Sequence, residues 1–468
     1  SMATGACVDD NTGVGYNTLN LFTGSDATAV GSGAADSLTT GASNTAVGKG
    51  SLATTDDGAN NVAVGVEALG TGNCVDNNTA LGFGALYAFT GSNATAVGAG
   101  AAAVADSQIK LTAVGYNALN AATSGDNNTA VGYACMDATI DGENNTAIGK
   151  GSLSADCEDD NVAVGYNALL AFTGSDAVAV GAGAADGAGT AAGLVAIGKN
   201  ALGHADFDGE YNTAVGHDAG LSITTGIRNT AIGRAALDGT DDGHRNSAVG
   251  YGVLGDNCAD DNTGVGYGAL NVFTGSNATA IGAYAADAAT SATYLTAVGH
   301  NALGACSEGA GNTAVGSNTL FSLVGTGTSA GTGGDNNVAL GSSAGYSTTG
   351  SRNTYLGRSA GLYATTTDDC IAIGYEALQA ASGVTNVATG NANIAIGNYA
   401  LDATTTGDRN IAIGHSASSG CLTASGSIAI GYNALLVEDA GAQTVAIGYK
   451  ALEGQNVKSS NNVAVGGY

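Results

Sequence analysis

The sequence predicts an all-β fold: a parallel β-solenoid of about 27 rungs, each about 17 residues long. Three observations carry that prediction. A unit of the form Asn-Thr-Ala-Val-Gly recurs along the chain, from Asn11-Thr12-Gly13-Val14-Gly15 to Asn462-Val463-Ala464-Val465-Gly466. Equivalent places in successive copies form columns: Val, Ile or Leu always stands directly before the Gly, and Thr, Val or Ile stands two residues earlier, with Ser247 the one exception. The 468 residues include 77 Gly and no Pro, with aromatics at 5%. That composition cannot fill several ordinary cores, whereas a strand paired on both sides needs every backbone N–H and so excludes Pro.

Taken in chain order, Ser1-Met2 reads as an expression scar, and residues 1–468 read as one solenoid of tandem rungs. Each rung centres on a short strand. Residues i and i+2 of a strand share a face, so the Thr/Val/Ile and Val/Ile/Leu columns are expected to point inward together. The residue between them is Ala in all rungs but three, which carry Gly13, Gly264 and Tyr355. An ordinary solvent face would vary in size and charge. The uniform methyl strip, including Ala113, Ala130, Ala147, Ala163 and Ala179, is therefore expected to meet the same strip of a sister subunit; packing within one chain is the alternative. After the Gly, strings such as Tyr116-Asn117-Ala118-Leu119 suggest a second inward column at Leu, and a rung of two short strands joined by turns. Asn four residues before the Gly suits a left-handed corner or an amide ladder between rungs. Stacking all the rungs at the strand spacing would give a rod of roughly 125 Å. Extra residues within 317–340 and 375–396 read as loops bulging from a turn.

Phe22, Phe89, Phe172 and Phe273 mark a longer repeat, each preceded by a Cys: Cys7, Cys74, Cys157 and Cys258. These lie too many rungs apart for disulfides within a chain. With Cys135, Cys306, Cys370 and Cys421 they are expected to be buried free thiols.

A formal charge of −28 opposes phosphate binding, so nucleic acid is excluded as a partner. No apolar run reaches the length of a membrane helix, and no membrane insertion is expected. Asp126, Glu143 and Asp159 hold one place in three successive rungs. Stacked carboxylates suit Ca²⁺ by ligand type, the one cofactor the sequence brings up; the alternative is a solvated acidic edge. Tyr follows the Gly in neighbouring rungs at Tyr116 and Tyr133, Tyr251 and Tyr267, and Tyr432 and Tyr449. Such ladders either meet a ligand, such as a sugar, or stack rung on rung.

The strings Asn161-Val162-Ala163-Val164-Gly165, Asn393-Ile394-Ala395-Ile396-Gly397 and Asn410-Ile411-Ala412-Ile413-Gly414 resemble the head repeat of YadA-type trimeric autotransporter adhesins. Related repeats occur in bacteriophage fibres. The resemblance implies a left-handed parallel β-roll, a side-by-side homotrimer with the Ala column at its interface, and an extracellular surface role. The rungs here are longer than that family's usual repeat, and no heptad stalk or membrane anchor accompanies them.

The expected function is a non-enzymatic adhesin or receptor-binding fibre segment that presents loops and Tyr-bearing faces to a cell-surface glycan or protein. A purely structural filament is the alternative within that class. Val14 to Leu19 also fits the hexapeptide of left-handed β-helix acyltransferases, but that fold needs about three such units per turn and this chain has one. An ice-binding Thr face is disfavoured because Val and Ile replace Thr freely in that column, as expected of an inward position.

Overall fold

The computed structural model describes residues 10–107, 110–323, 334–380, 388–437, 443–454 and 461–467. Ser1-Met2, Cys7 and the middles of both inserted loops lie outside the described residues. The chain divides into two compact units, Ser1–Asn229 and Thr230–Tyr468. Each is a parallel β-solenoid with no helix among its described residues. The first carries thirteen strands of three residues, from Thr12–Val14 to Thr213–Val215; the second carries fourteen, from Thr230–Ile232 to Val463–Val465. Within each unit every strand pairs in register with the next, as in Ala113 opposite Ala130 and Ala395 opposite Ala412. Register also survives both insertions, where Thr313 pairs with Val338 and Ile371 with Ile394.

The facing of the strands is the reverse of the sequence expectation. The middle residue of nearly every strand is buried, and its two neighbours are half-buried or exposed. Ala113, Ala130, Ala147, Ala163 and Ala179 are all 0% exposed within a single chain, so they line the interior and do not meet a sister subunit. The Thr, Val and Ile columns point outward; Ile148 is 43% exposed and Leu340 46%. Interior width explains the reversal. The far wall of the rung approaches so closely that only a methyl group fits opposite it, and side-chain volume outweighs hydrophobicity in deciding which residue turns in.

Exceptions in the inward columns show how tight the space is. Tyr355 replaces the inward Ala and is completely buried, its hydroxyl 2.9 Å from Thr367 Oγ1. Opposite it, Gly345 and Gly361 stand where other rungs carry Leu. A Cβ at Gly345 would lie 2.7 Å from the Tyr355 ring, and one at Gly361 would overlap it. In another rung Gly264 makes room for Val253 in the same way.

The far wall of the rung is a chain of turns where a second strand was expected. Two residues per rung take left-handed φ there, such as Glu67 at 58° and Leu69 at 50°. A non-Gly residue in that region costs about 1 kcal/mol, less than the roughly 1.5–3 kcal/mol that burying a Leu returns. The expected inward Leu column is present, with Leu52, Leu69, Leu86 and Leu119 buried. Its backbone still bonds rung to rung, Leu52 N–H to the Ala68 carbonyl at 2.9 Å and Leu69 N–H to Ala85 at 3.0 Å.

The Asn column is buried at the corner entering the strand. Asn44 Oδ1 accepts the Asn61 N–H at 2.8 Å, and Asn61 Oδ1 accepts the Asn78 N–H at 2.9 Å. Asn44 Nδ2 donates to the carbonyls of Gly41 and Gly58. The ladder therefore runs mainly from side chain to backbone, and the left-handed corner residue is the one before it, as at Asn60 and Asn77. Cys74, Cys135, Cys157, Cys258, Cys306, Cys370 and Cys421 are free and buried. Burial pushes the thiols of Cys157, Cys306 and Cys370 up to about 11.

Candidate functional site

Three surface features bear on function: the outer strand face, the ladder of aromatic and basic side chains beside it, and the acidic corner on its other edge. The outer face consists of two parallel columns with no charged residue in any of the 27 strands. It holds runs such as Thr79, Thr95, Thr112, Thr129 and Thr146 beside Leu81, Val97, Val114, Val131 and Ile148. On a chain of net charge −28, an uncharged strip on each unit is an unusual surface.

The Tyr pairs singled out in the sequence are brought together. Ring centroids lie 5.4 Å apart for Tyr116 and Tyr133, 5.3 Å for Tyr251 and Tyr267, and 5.4 Å for Tyr432 and Tyr449, each nearly parallel. The ladders extend further than the sequence reading placed them. Lys150 Nζ lies 5.7 Å from the ring centres of both Tyr133 and Tyr166. Arg234 covers Tyr251 and Arg358 covers Tyr375, both at 5.6 Å. His415 stacks on Tyr432 at 5.5 Å. Lys150, Arg234, Arg358 and His415 hold the same place after the Gly as the tyrosines, so the column itself was the signal. Tyr284 and Tyr399 sit one residue later and were missed, yet their rings meet Tyr267 and Tyr375 edge-on at 5.2 and 5.3 Å.

The acidic corner is knitted into the backbone. Asp159 Oδ1 accepts the Glu143 N–H at 2.8 Å, and Asp76, Asp260, Asp335, Asp368 and Asp408 repeat this bond to the rung before. Asp141, Glu143, Glu158 and Asp159 border a shallow depression of about 290 Å³. No group of three His, Cys, Asp or Glu side chains among the described residues is placed to hold a metal ion, and neither Asp126, Glu143 and Asp159 nor any other set forms one. Two corner arginines pair with the following rung: Arg245 Nε lies 2.6 Å from Asp261, and Arg352 Nε 2.6 Å from Asp369. These contacts hold both carboxyls below their ordinary range.

Two histidines make polar contacts with their sequence neighbours. His217 Nδ1 lies 2.7 Å from Asp218 and His415 Nδ1 3.0 Å from Ser416 Oγ, each joining sequence neighbours on an exposed turn. No described helix is long and apolar enough to cross a membrane. No protein-family model matches the chain, and no curated protein matches it.

Proposed function

We propose that this chain is a segment of a non-enzymatic, extracellular fibre built from several copies of itself, adhesive through its Tyr-bearing faces and loops. The observation that carries the reading is the uncharged double column of Thr, Val and Ile on the outer strand face. A strip of half-exposed aliphatic side chains, flat and repeating at the strand spacing, is self-complementary, and a second copy covers it in register. The assembly surface thus moves from the Ala column to the residues on either side of it. The resemblance to YadA-type heads supports a left-handed roll and three copies, and adds a cell-surface glycan or protein as target. Multiple copies raise avidity without any new contact. A structural filament without a receptor is the nearest alternative. Sedimentation of the whole chain over a range of concentrations tests the assembly, and binding to a glycan array or to intact cells tests adhesion. A chain that stays single at every concentration contradicts the first part; one that assembles but touches no surface leaves only the filament.

One observation favours a second reading. The Thr column faces outward in register, which removes the inward orientation counted against ice binding, although Val and Ile interrupt the column. A measurable thermal hysteresis, abolished by Thr112→Lys together with Thr129→Lys, would support that reading.

A further inference from the structure

We propose that a cleft beside Tyr267 and Tyr284, in the second unit, is a binding subsite for a single neutral sugar ring. The inference deepens the adhesive reading above and rests on it for its biological setting, but its geometry stands separately.

Parallel ladder rings cover one another's faces. In the Tyr251–Tyr267 pair the rings lie 11° from parallel, so each covers one face of the other, and Arg234 occupies a face of Tyr251. Tyr284 breaks the pattern. It sits one residue later than the column, at φ 56°, and its ring is turned 67° to that of Tyr267. His300 on its other side meets it at 89°. Neither neighbour lies parallel to Tyr284, so its ring is outside the face-to-face stacking of the Tyr251–Tyr267 pair, an arrangement that Tyr399 shares. The ring is 40% exposed.

Tyr284 borders a cleft of about 160 Å³, the scale of one pyranose ring. Gly252 and Gly268 form part of its lining. Both hold the place two past the strand-ending Gly, where some rungs carry side chains such as Asn117 or Glu67 and others carry Gly, as at Gly84. At φ 57° and 61° they keep the turn while leaving the space open. A Cβ would lie 3.6 Å from Asn271 Oδ1 in the first case and 3.5 Å from the Tyr284 ring in the second. The Asn271 amide and the Asp287 carboxylate, equivalent residues of successive rungs, face the tyrosines across the cleft.

Tyrosine rings, an amide and a carboxylate around a ring-sized space match the two sides of a sugar, its C–H face and its rim of hydroxyls. The amide supplies both donors and acceptors, and the carboxylate accepts from hydroxyls. Charge selects the sugar class. Asp287 within the cleft and −28 over the chain repel sialic acids and sulfated sugars, leaving uncharged hexoses and N-acetylhexosamines.

The test is saturation-transfer NMR on the full chain with the methyl glycosides of glucose, galactose, mannose and N-acetylglucosamine, and with choline as a cationic comparator. At least one glycoside is expected to receive saturation at its ring C–H protons. Affinity should fall about tenfold in Tyr284→Asn, which keeps a residue at ease in left-handed φ, fall also in Asn271→Ala, and be unchanged in Tyr116→Ala. Silence from all four glycosides, a signal indifferent to Tyr284→Asn, or Tyr284-dependent binding of choline alone would overturn the subsite. If the chain still assembles and adheres while the glycosides fail, only the cleft is lost; if a glycoside binds through Tyr284 on a chain that neither assembles nor adheres, the cleft stands without the fibre.

Discussion

A methyl group decides how each rung closes. Ala130 has no exposed surface, so Ala130→Glu would bury a charge without a partner and should cost more than about 3 kcal/mol, read as loss of cooperative urea unfolding. Val131→Glu, one residue on but on the outer face, should shift the stability of the single chain by less than about 1 kcal/mol. The Gly that ends each strand is as constrained as the Ala: at Gly48, φ is 137° and an added Cβ would overlap the Gly65 carbonyl. Tyr355→Ala empties a space shaped by two glycines and should cost about 3–5 kcal/mol by thermal unfolding. The pattern of these residues also shows what was legible. Period, register and columns were readable because repetition substitutes for comparison among relatives. Facing was not, because hydrophobicity assigns Val inward and Ala outward, whereas the interior admits only the smaller side chain. The clue was present at Gly345 and Gly361, two missing leucines flanking the one Tyr in an Ala column. Tyr284, the ring on which the sugar subsite rests, escaped because it stands one residue off its column.

At the scale of the rung, stability lies in side chains that complete the backbone of their neighbours. Asn145 Oδ1 accepts the Asn161 N–H at 2.8 Å and its Nδ2 donates to the Glu158 carbonyl at 2.9 Å. Asn145→Ala strands the Asn161 N–H in the interior, while the Glu158 carbonyl keeps the Asn161 amide at 3.1 Å, and should cost about 2 kcal/mol in urea unfolding. The acidic corner, legible only as a stack of carboxylates, belongs to the same system, since a sequence cannot reveal that each oxygen meets an N–H of the rung before. Calcium is accordingly expected to leave the unfolding temperature unchanged. Another carboxyl carries the pH dependence: burial raises Asp402 to about 6, well above its unfolded value. A group raised in this way stabilises the fold when protonated, so its contribution is present below about pH 4 and is lost as pH rises through 6. Solvent still reaches this side chain, and Asp402→Asn should gain only about 1 kcal/mol at pH 7 while flattening the pH profile between 4 and 7.

For the molecule as a whole, the repeat leaves the outer strand face of each unit without charge and puts strong net negative charge elsewhere. Copies that meet through that face must overcome mutual repulsion, so their association should strengthen as salt rises toward physiological ionic strength. The Thr, Val and Ile columns lie on the surface where the sequence placed them inside, and the same change brings the assembly proposal to residues whose substitution leaves the single chain folded. Assembly and folding can therefore be separated by mutation. The most direct measurement is sedimentation equilibrium of the wild-type chain and of Val131→Lys with Ile148→Lys, at several concentrations, with circular dichroism on both. The account predicts a wild-type mass that is a whole multiple of 44.8 kDa and a variant that retains the wild-type spectrum but sediments at 44.8 kDa. A wild-type chain that remains at 44.8 kDa throughout, or a variant that assembles unchanged, would contradict it.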